Sequence, residues 1–206
     1  MSARRRVGLF GGSFDPIHRG HIEPVRAARE RLGLERVVYL PTARPPHKSG
    51  REFAPAWARF AMTELALLDE PGLWVSSYEM TLERPSYTVD TLEHFRAEWP
   101  EVDLHLLIGE DSFADFDKWV RWRDILKLAR LVVLARPGSL IHGDLVGLPT
   151  ELADLHRAGG LAWIAERPVE VSSTEIRQAL GRGAPLPDDA LSPGVVKYIL
   201  KYSLYR

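Results

Sequence analysis

A chain of 206 residues, 45% hydrophobic and 27% charged, has the composition of an ordinary globular protein and is ample for one hydrophobic core. Its formal net charge of -1 leaves no global basic field of the kind nucleic-acid binders carry, and the absence of cysteine excludes disulfides and thiol catalysis. No apolar run approaches the ~20 residues that cross a bilayer. Val7 to Phe10 is too short for the apolar core of a signal peptide, so a cytoplasmic location and no membrane partner are expected.

Arg4-Arg5-Arg6 reads as a solvated lead-in to a first strand, Val7-Gly8-Leu9-Phe10. Further continuous apolar runs at Val37 to Leu40, Leu104 to Ile108 and Leu131 to Leu134 suit parallel strands covered on both faces, and Leu73 to Tyr78 and Leu161 to Ala165 are two more candidates. Between them lie helix patterns. Ile22, Val25, Ala28 and Leu32 recur at spacings of three and four, with Gly33 as the expected C-terminal cap. Pro55 to Leu68 and Tyr87 to Trp99 are also helical in pattern. Ser192-Pro193 supplies an N-cap and a first-position proline for a last helix, with Val195, Val196, Ile199 and Leu200 as its apolar face. The stretch from Arg136 to Gly160, rich in Gly and Pro, reads as a surface excursion. Alternation of strand and helix argues for an α/β fold with a mostly parallel sheet in a single domain over 1–206.

Gly11-Gly12-Ser13 follows the first strand, where open parallel sheets bind their ligands. Two glycines let the backbone come close to a ligand and point N–H groups at anionic oxygens. The spacing matches neither the dinucleotide fingerprint nor the P-loop, so alone it is a turn. His18 and His21, three apart, share a face on a helical first turn, and Gly20 between them removes a side chain that could crowd a ligand. Two surface histidines or a zinc pair would give the same spacing, but the glutamate of His-Glu-x-x-His and a nearby third ligand are missing. Far along the chain, in Val171-Ser172-Ser173-Thr174-Glu175-Ile176-Arg177, Ser172 or Ser173 can cap a helix from Thr174 to Leu180. Amides at that helix start favour phosphate, and Arg177, one turn on, can reach the same oxygens. A plain capped helix with a surface arginine accounts for the segment equally well.

Gly11-Gly12-Ser13-Phe14-Asp15-Pro16-Ile17-His18-Arg19-Gly20-His21 resembles the signature of the nucleotidyltransferase superfamily, whose His-x-Gly-His element contacts ATP phosphates. The distal segment is similar to that superfamily's Ile-Ser-Ser-Thr-x-Ile-Arg motif, with Val171 leading. Pro45-Pro46-His47-Lys48, Ser86 to Leu92, Gly109-Glu110-Asp111-Ser112 with Trp119 beyond, Arg136-Pro137-Gly138, and Val196 to Tyr205 resemble the bacterial nicotinate-nucleotide adenylyltransferases. The likeness spans nearly the whole chain, with 139–160 unmatched.

That resemblance implies a Rossmann-like, doubly wound, mostly parallel sheet with helices on both faces. It also implies transfer of AMP from ATP to nicotinate mononucleotide in NAD synthesis. His18, His21 and Arg177 would be catalytic. Gly11, Gly12, Ser13 and Phe14 would join them at ATP, together with Gly109, Asp111, Ser173 and Thr174. Trp119 would stack on the pyridinium ring, Thr88 and the backbone about Val120 would hold its carboxylate, and Lys48 and Arg136 would meet phosphate. Without the resemblance, Trp119 reads as a core residue sharing a face with Trp122. Glu110 stands where the family usually has alanine and is expected to point outward. Mg²⁺ is expected to arrive with ATP, bound by phosphates and water more than by protein, so no protein metal ligands are assigned. Other acceptors (nicotinamide mononucleotide, phosphopantetheine, or glycerol phosphate with CTP) keep the same chemistry. A noncatalytic nucleotide sensor is a reading of a different class. Nucleic acid is not an expected partner, and homo-oligomerisation is left open.

Overall fold

A computed structural model of the chain describes residues 4–44, 53–135, 149–165, 169 and 171–206. Six strands, β1 (Arg5–Gly12), β2 (Arg36–Pro41), β3 (Leu73–Val75), β4 (Val102–Gly109), β5 (Arg130–Ala135) and β6 (Leu161–Ala165), form one sheet in the order β3-β2-β1-β4-β5-β6. This is the doubly wound order that the resemblance implies. The chain divides into two compact units, one from 1–10, 24–37 and 87–168, the other from 11–23, 38–86 and 169–206.

In the first unit β1, β4, β5 and β6 run parallel, with Leu9 opposite Leu106, Leu107 opposite Val132 and Val133 opposite Trp163. Val7, Leu107, Val132 and Val133 are fully buried. Strands apolar at every position need cover on both faces, which crossover helices provide. These are α3 (Thr88–Glu98), α4 (Glu110–Ala114), α5 (Trp122–Leu128) and α6 (Thr150–Arg157). Helix α6 lies within the stretch expected to be an irregular excursion, and its Leu152 is buried, so part of that stretch is core-forming. Residues 136–148 lie outside the described residues. Arg96 on α3 donates to the carbonyls of Val102 at 2.7 Å and Leu128 at 2.5 Å, tying α3 to the start of β4 and the end of α5. At the Leu128 carbonyl, the last of α5, the cation also complements the negative end of the helix dipole.

Helix α1 (Arg19–Leu32) starts in the second unit, and Gly33 ends it in the left-handed conformation, φ 60°. The capping bonds run from the Gly33 amide to Glu30 and from the Leu34 amide to Arg29, a terminus glycine adopts without steric cost. The second unit also holds α2 (Ala56–Leu67), β3, α7 (Ser173–Arg182) and α8 (Pro193–Lys201). Ser192 Oγ accepts from the Val195 amide at 3.4 Å and Pro193 opens α8, as its sequence predicts. Of its expected apolar face, Val195 and Ile199 are buried, whereas Leu200 is 49% exposed. Among the described residues no helix is long and apolar enough to cross a membrane.

Candidate nucleotidyl-transfer site

The motif loop leaves β1 at Gly11 and Gly12 and enters α1 at Arg19. Phe14 sits in the left-handed region, φ 44°, a conformation that costs a bulky residue of order 1 kcal/mol or more and needs its surroundings to hold it. Its ring supplies that hold. It is 1% exposed and packs edge-on to His21 at 5.3 Å and beside Tyr39 at 5.6 Å. A Cβ on Gly12 would stand 2.8 Å from the Phe14 ring, so glycine is what lets the loop close. Phe14 is therefore a buried anchor, and any contact it makes to a nucleotide is confined to its backbone. Gly11 has open space where a Cβ would be, as close approach of a ligand requires.

His18 immediately precedes α1 and His21 lies in its first turn, their ring centroids 3.8 Å apart. Each ring is fixed by the other end of the turn. Gly20 N donates to His18 Nδ1 at 3.1 Å, and His18 N donates to His21 Nδ1 at 3.3 Å. With both Nδ1 atoms accepting, each neutral imidazole carries its proton on Nε2, which makes it a hydrogen-bond donor without needing charge. His18 is 7% exposed, and burial first, opposed by the Glu175 carboxylate, lowers its pKa from 6.5 to about 4. A Cβ on Gly20 would fall 3.0 Å from the His18 ring and 3.4 Å from the Val171 carbonyl. Gly20 therefore clears space for the imidazole itself rather than for a ligand. Tyr39 OH donates to the His21 carbonyl at 2.9 Å and pins the same turn from β2.

The distal motif lies on this loop. Ser172 caps α7, accepting from Glu175 N at 3.2 Å while the Glu175 carboxylate accepts from Ser172 N at 3.1 Å. This reciprocal box satisfies the third amide of the helix and leaves those of Ser173 and Thr174 without an intrahelical acceptor. Ser173 Oγ donates to the Pro16 carbonyl at 3.1 Å, and Arg177 Nη1 donates to the Asp15 carbonyl at 2.7 Å. Arg177 Nη2 reaches Thr174 Oγ1 at 3.0 Å, and the side chain is 17% exposed. Residues more than 150 positions apart thus meet: Ser173, Thr174 and Arg177 stand beside the loop that presents His18 and His21.

Two residues assigned no role at the level of sequence organise this arrangement. Arg59, 1% exposed, donates Nη1 to the Ser13 carbonyl at 2.6 Å, Nε to Ala54 at 3.0 Å and Nη2 to Ala43 at 3.2 Å. Burial lowers its pKa, opposed by the Asp15 carboxylate. Asp15, also 1% exposed, accepts on Oδ1 from Tyr205 OH at 2.8 Å and Ala54 N at 3.1 Å. The one signal for Arg59 is a charge inside Trp57-Ala58-Arg59-Phe60-Ala61-Met62, an otherwise apolar turn.

In the other unit, Gly109 caps α4 and Asp111 is exposed in its first turn. Glu110 is buried, 8% exposed, which corrects the expectation that it points outward: as the first residue of α4 it faces inward, where the positive helix end offsets its charge. Thr88 opens α3. Trp119 is half-buried, its ring 5.3 Å from buried Phe116, while Trp122 is 7% exposed and belongs to the core. Both rings nevertheless pack on Phe116, Trp122 at 6.1 Å, so the two tryptophans share a packing neighbour and differ in exposure. Val120 is 44% exposed. In the same turn Arg121, in the left-handed conformation at φ 53°, donates to Glu93 of α3 at 2.6 Å. Lys48 and Arg136, with the segments Pro45 to Lys48 and Arg136 to Gly138, lie outside the described residues.

Residues 9–179 match the cytidylyltransferase-like family model. The chain is 42% identical to a probable nicotinate-nucleotide adenylyltransferase of Laribacter hongkongensis, over 98% of this chain and 96% of the relative. A protein of the same description from Aeromonas hydrophila is 41% identical over 97% of each. Among solved structures, the nicotinic acid mononucleotide adenylyltransferase of Plasmodium falciparum complexed with NaAD superposes with a TM-score of 0.73 at 15% identity, covering 98% of this chain and 97% of the other, a likeness of fold. The signature loop, the helix laid upon it and this full-length similarity place the chain in the cytidylyltransferase-like family and, within it, among the nicotinate-nucleotide adenylyltransferases.

Proposed function

We propose that the protein transfers AMP from ATP to nicotinate mononucleotide, giving nicotinate adenine dinucleotide and pyrophosphate. The observation that carries the reading is the seating of Ser173 and Arg177 on the Asp15–Pro16 backbone, next to two imidazoles whose Nδ1 atoms both accept backbone amides. An oxygen of the acceptor phosphate attacks the α-phosphorus in line, the bond from that phosphorus to the bridging oxygen breaks, and pyrophosphate departs with the electron pair. The acceptor oxygen is already ionised at neutral pH, so no strong base is needed. Catalysis rests on positioning and on stabilising the developing charge.

His18 and His21 are assigned to the α- and β-phosphate oxygens as Nε2–H donors. Arg177, the Ser173 and Thr174 amides and Lys48 are assigned to the leaving pyrophosphate. Gly11, Gly12 and Ser13 let the backbone approach the nucleotide, while Gly109 and Asp111 take its ribose. Trp119 stacks on the pyridinium ring, Thr88 and the Val120 backbone bind its carboxylate, and Arg136 meets the acceptor phosphate. Mg²⁺ arriving with ATP would neutralise part of the charge on the phosphates, with no protein ligand assigned to it. A metal brought by the nucleotide suits the motif loop, whose single carboxylate, Asp15, is committed to Tyr205, Ala54 and Arg177.

The test is to incubate purified protein with ATP and Mg²⁺, offering the acid and amide mononucleotides separately, and to identify the dinucleotide and pyrophosphate formed. The acid dinucleotide should dominate. Formation of neither dinucleotide would leave a nucleotide sensor, and a preference for the amide would reassign the acceptor.

A further inference from the structure

Tyr205 takes part in the site although nothing in the transfer chemistry calls for a phenol. Its hydroxyl donates to Asp15 Oδ1 at 2.8 Å across 190 residues of sequence. The other oxygen of that carboxylate lies 3.8 Å from Arg177 Nη1, the same nitrogen that donates to the Asp15 carbonyl at 2.7 Å. One residue, 1% exposed, therefore receives the tyrosine on one oxygen and faces the guanidinium with the other. The backbone brings the phenol there. Gly181 follows Arg177 by one turn on the same face of α7, and a Cβ at Gly181 would stand 3.3 Å from the Tyr205 carbonyl. Glycine thus lets the Tyr205 segment lie against the helix that carries Arg177. Burial first, and the Asp15 carboxylate second, push the Tyr205 phenol well above its ordinary pKa, so it remains a donor at any working pH.

We propose that Tyr205 is a positioning residue, which fixes the Asp15 carboxylate so that the carboxylate in turn holds Arg177 in its phosphate-binding orientation. An arginine with several rotatable bonds loses conformational freedom when it grips a phosphate. Preorienting it from behind moves that cost from the binding step to the folding of the protein. The proposal rests on the reading of Arg177 as a ligand of the ATP phosphates.

Tyr205→Phe removes the hydroxyl and keeps the ring. It should raise the KM for ATP about fivefold or more, the scale for loosening one hydrogen bond to a charged group, and leave the KM for nicotinate mononucleotide within about twofold. ATP binding measured directly by calorimetry should weaken by the same factor. In an Arg177→Lys background the same substitution should have no further effect on ATP, because its target is gone. Asp15→Asn, which keeps an acceptor for the phenol and removes the charge facing Arg177, should weaken ATP in the same way as Tyr205→Phe. Equal rises in both KM values, unchanged ATP affinity in Tyr205→Phe, or full additivity with Arg177→Lys would overturn the proposal and leave Tyr205 as packing. If the unsubstituted protein binds no ATP, the functional reading itself falls and takes this proposal with it. If it binds ATP but forms no dinucleotide, only the transfer reading falls, and the calorimetric comparison still judges Tyr205.

Discussion

His18 offers a measurement that separates a buried neutral imidazole from an exposed one. Its folded-state pKa is lowered from 6.5 to about 4, chiefly by burial. In the window between those values the unfolded chain binds a proton that the folded protein refuses. Stability from this group is therefore complete above the unfolded value and is lost as pH falls toward the folded one. Between about pH 7 and about pH 4.5 the loss comes to roughly 2 kcal/mol, since a tenfold difference in proton affinity is worth about 1.4 kcal/mol. For a protein of 206 residues this is on the order of 5–8 °C in Tm.

The assay is thermal unfolding of the wild type and His18→Ala across that range. Carboxylates and other groups titrate alike in both proteins, so their contribution cancels in the difference. The cavity left by the substitution destabilises His18→Ala by an amount that does not depend on pH. The gap between the two Tm values should therefore be widest near neutrality and shrink by roughly 5–8 °C toward about pH 4.5. The same variant should lose kcat by on the order of 10²-fold, the scale for removing one transition-state donor. A gap that stays constant with pH would refute the buried neutral imidazole, and an unchanged kcat would reject its role as donor.

Gly20→Ala should disturb catalysis more than folding. Its Cβ meets the His18 ring at 3.0 Å while alanine favours the helix by about 1 kcal/mol, so kcat should fall about tenfold or more with Tm nearly unchanged, as steady-state kinetics and calorimetry would show. Arg59→Leu leaves the carbonyls of Ser13, Ala43 and Ala54 without their donor and should cost roughly 3 kcal/mol or more, visible in urea unfolding; a loss below about 1 kcal/mol would mean that water replaces the guanidinium. Trp119→Ala should raise the KM for nicotinate mononucleotide several-fold and leave that for ATP alone, and equal damage to both would mark Trp119 as structural.

Much of the fold was legible because it is written in neighbours. Four continuous apolar runs became β1, β2, β4 and β5, lengthened by one or two residues at their ends, since burial on both faces of a parallel sheet demands apolar side chains at every position. The caps at Gly33 and Ser192 and the first-turn pairing of His18 with His21 were equally local. The helix at Thr150–Arg157 was hidden by the Gly- and Pro-rich residues before it. The outward Glu110 failed because a charge in sequence says nothing about the helix end that can offset it.

Sequence by itself determined the chemistry on offer: which side chains could donate to a phosphate, and in which two segments they lie. Tertiary structure alone decided how those segments are held together. Arg59 is buried under three carbonyls, and Asp15 is shared between Tyr205 and Arg177. The physical reason is that burial of a charge is stable only when its partners surround it, and those partners come from positions as much as 190 residues away, a distance over which local propensity carries no information.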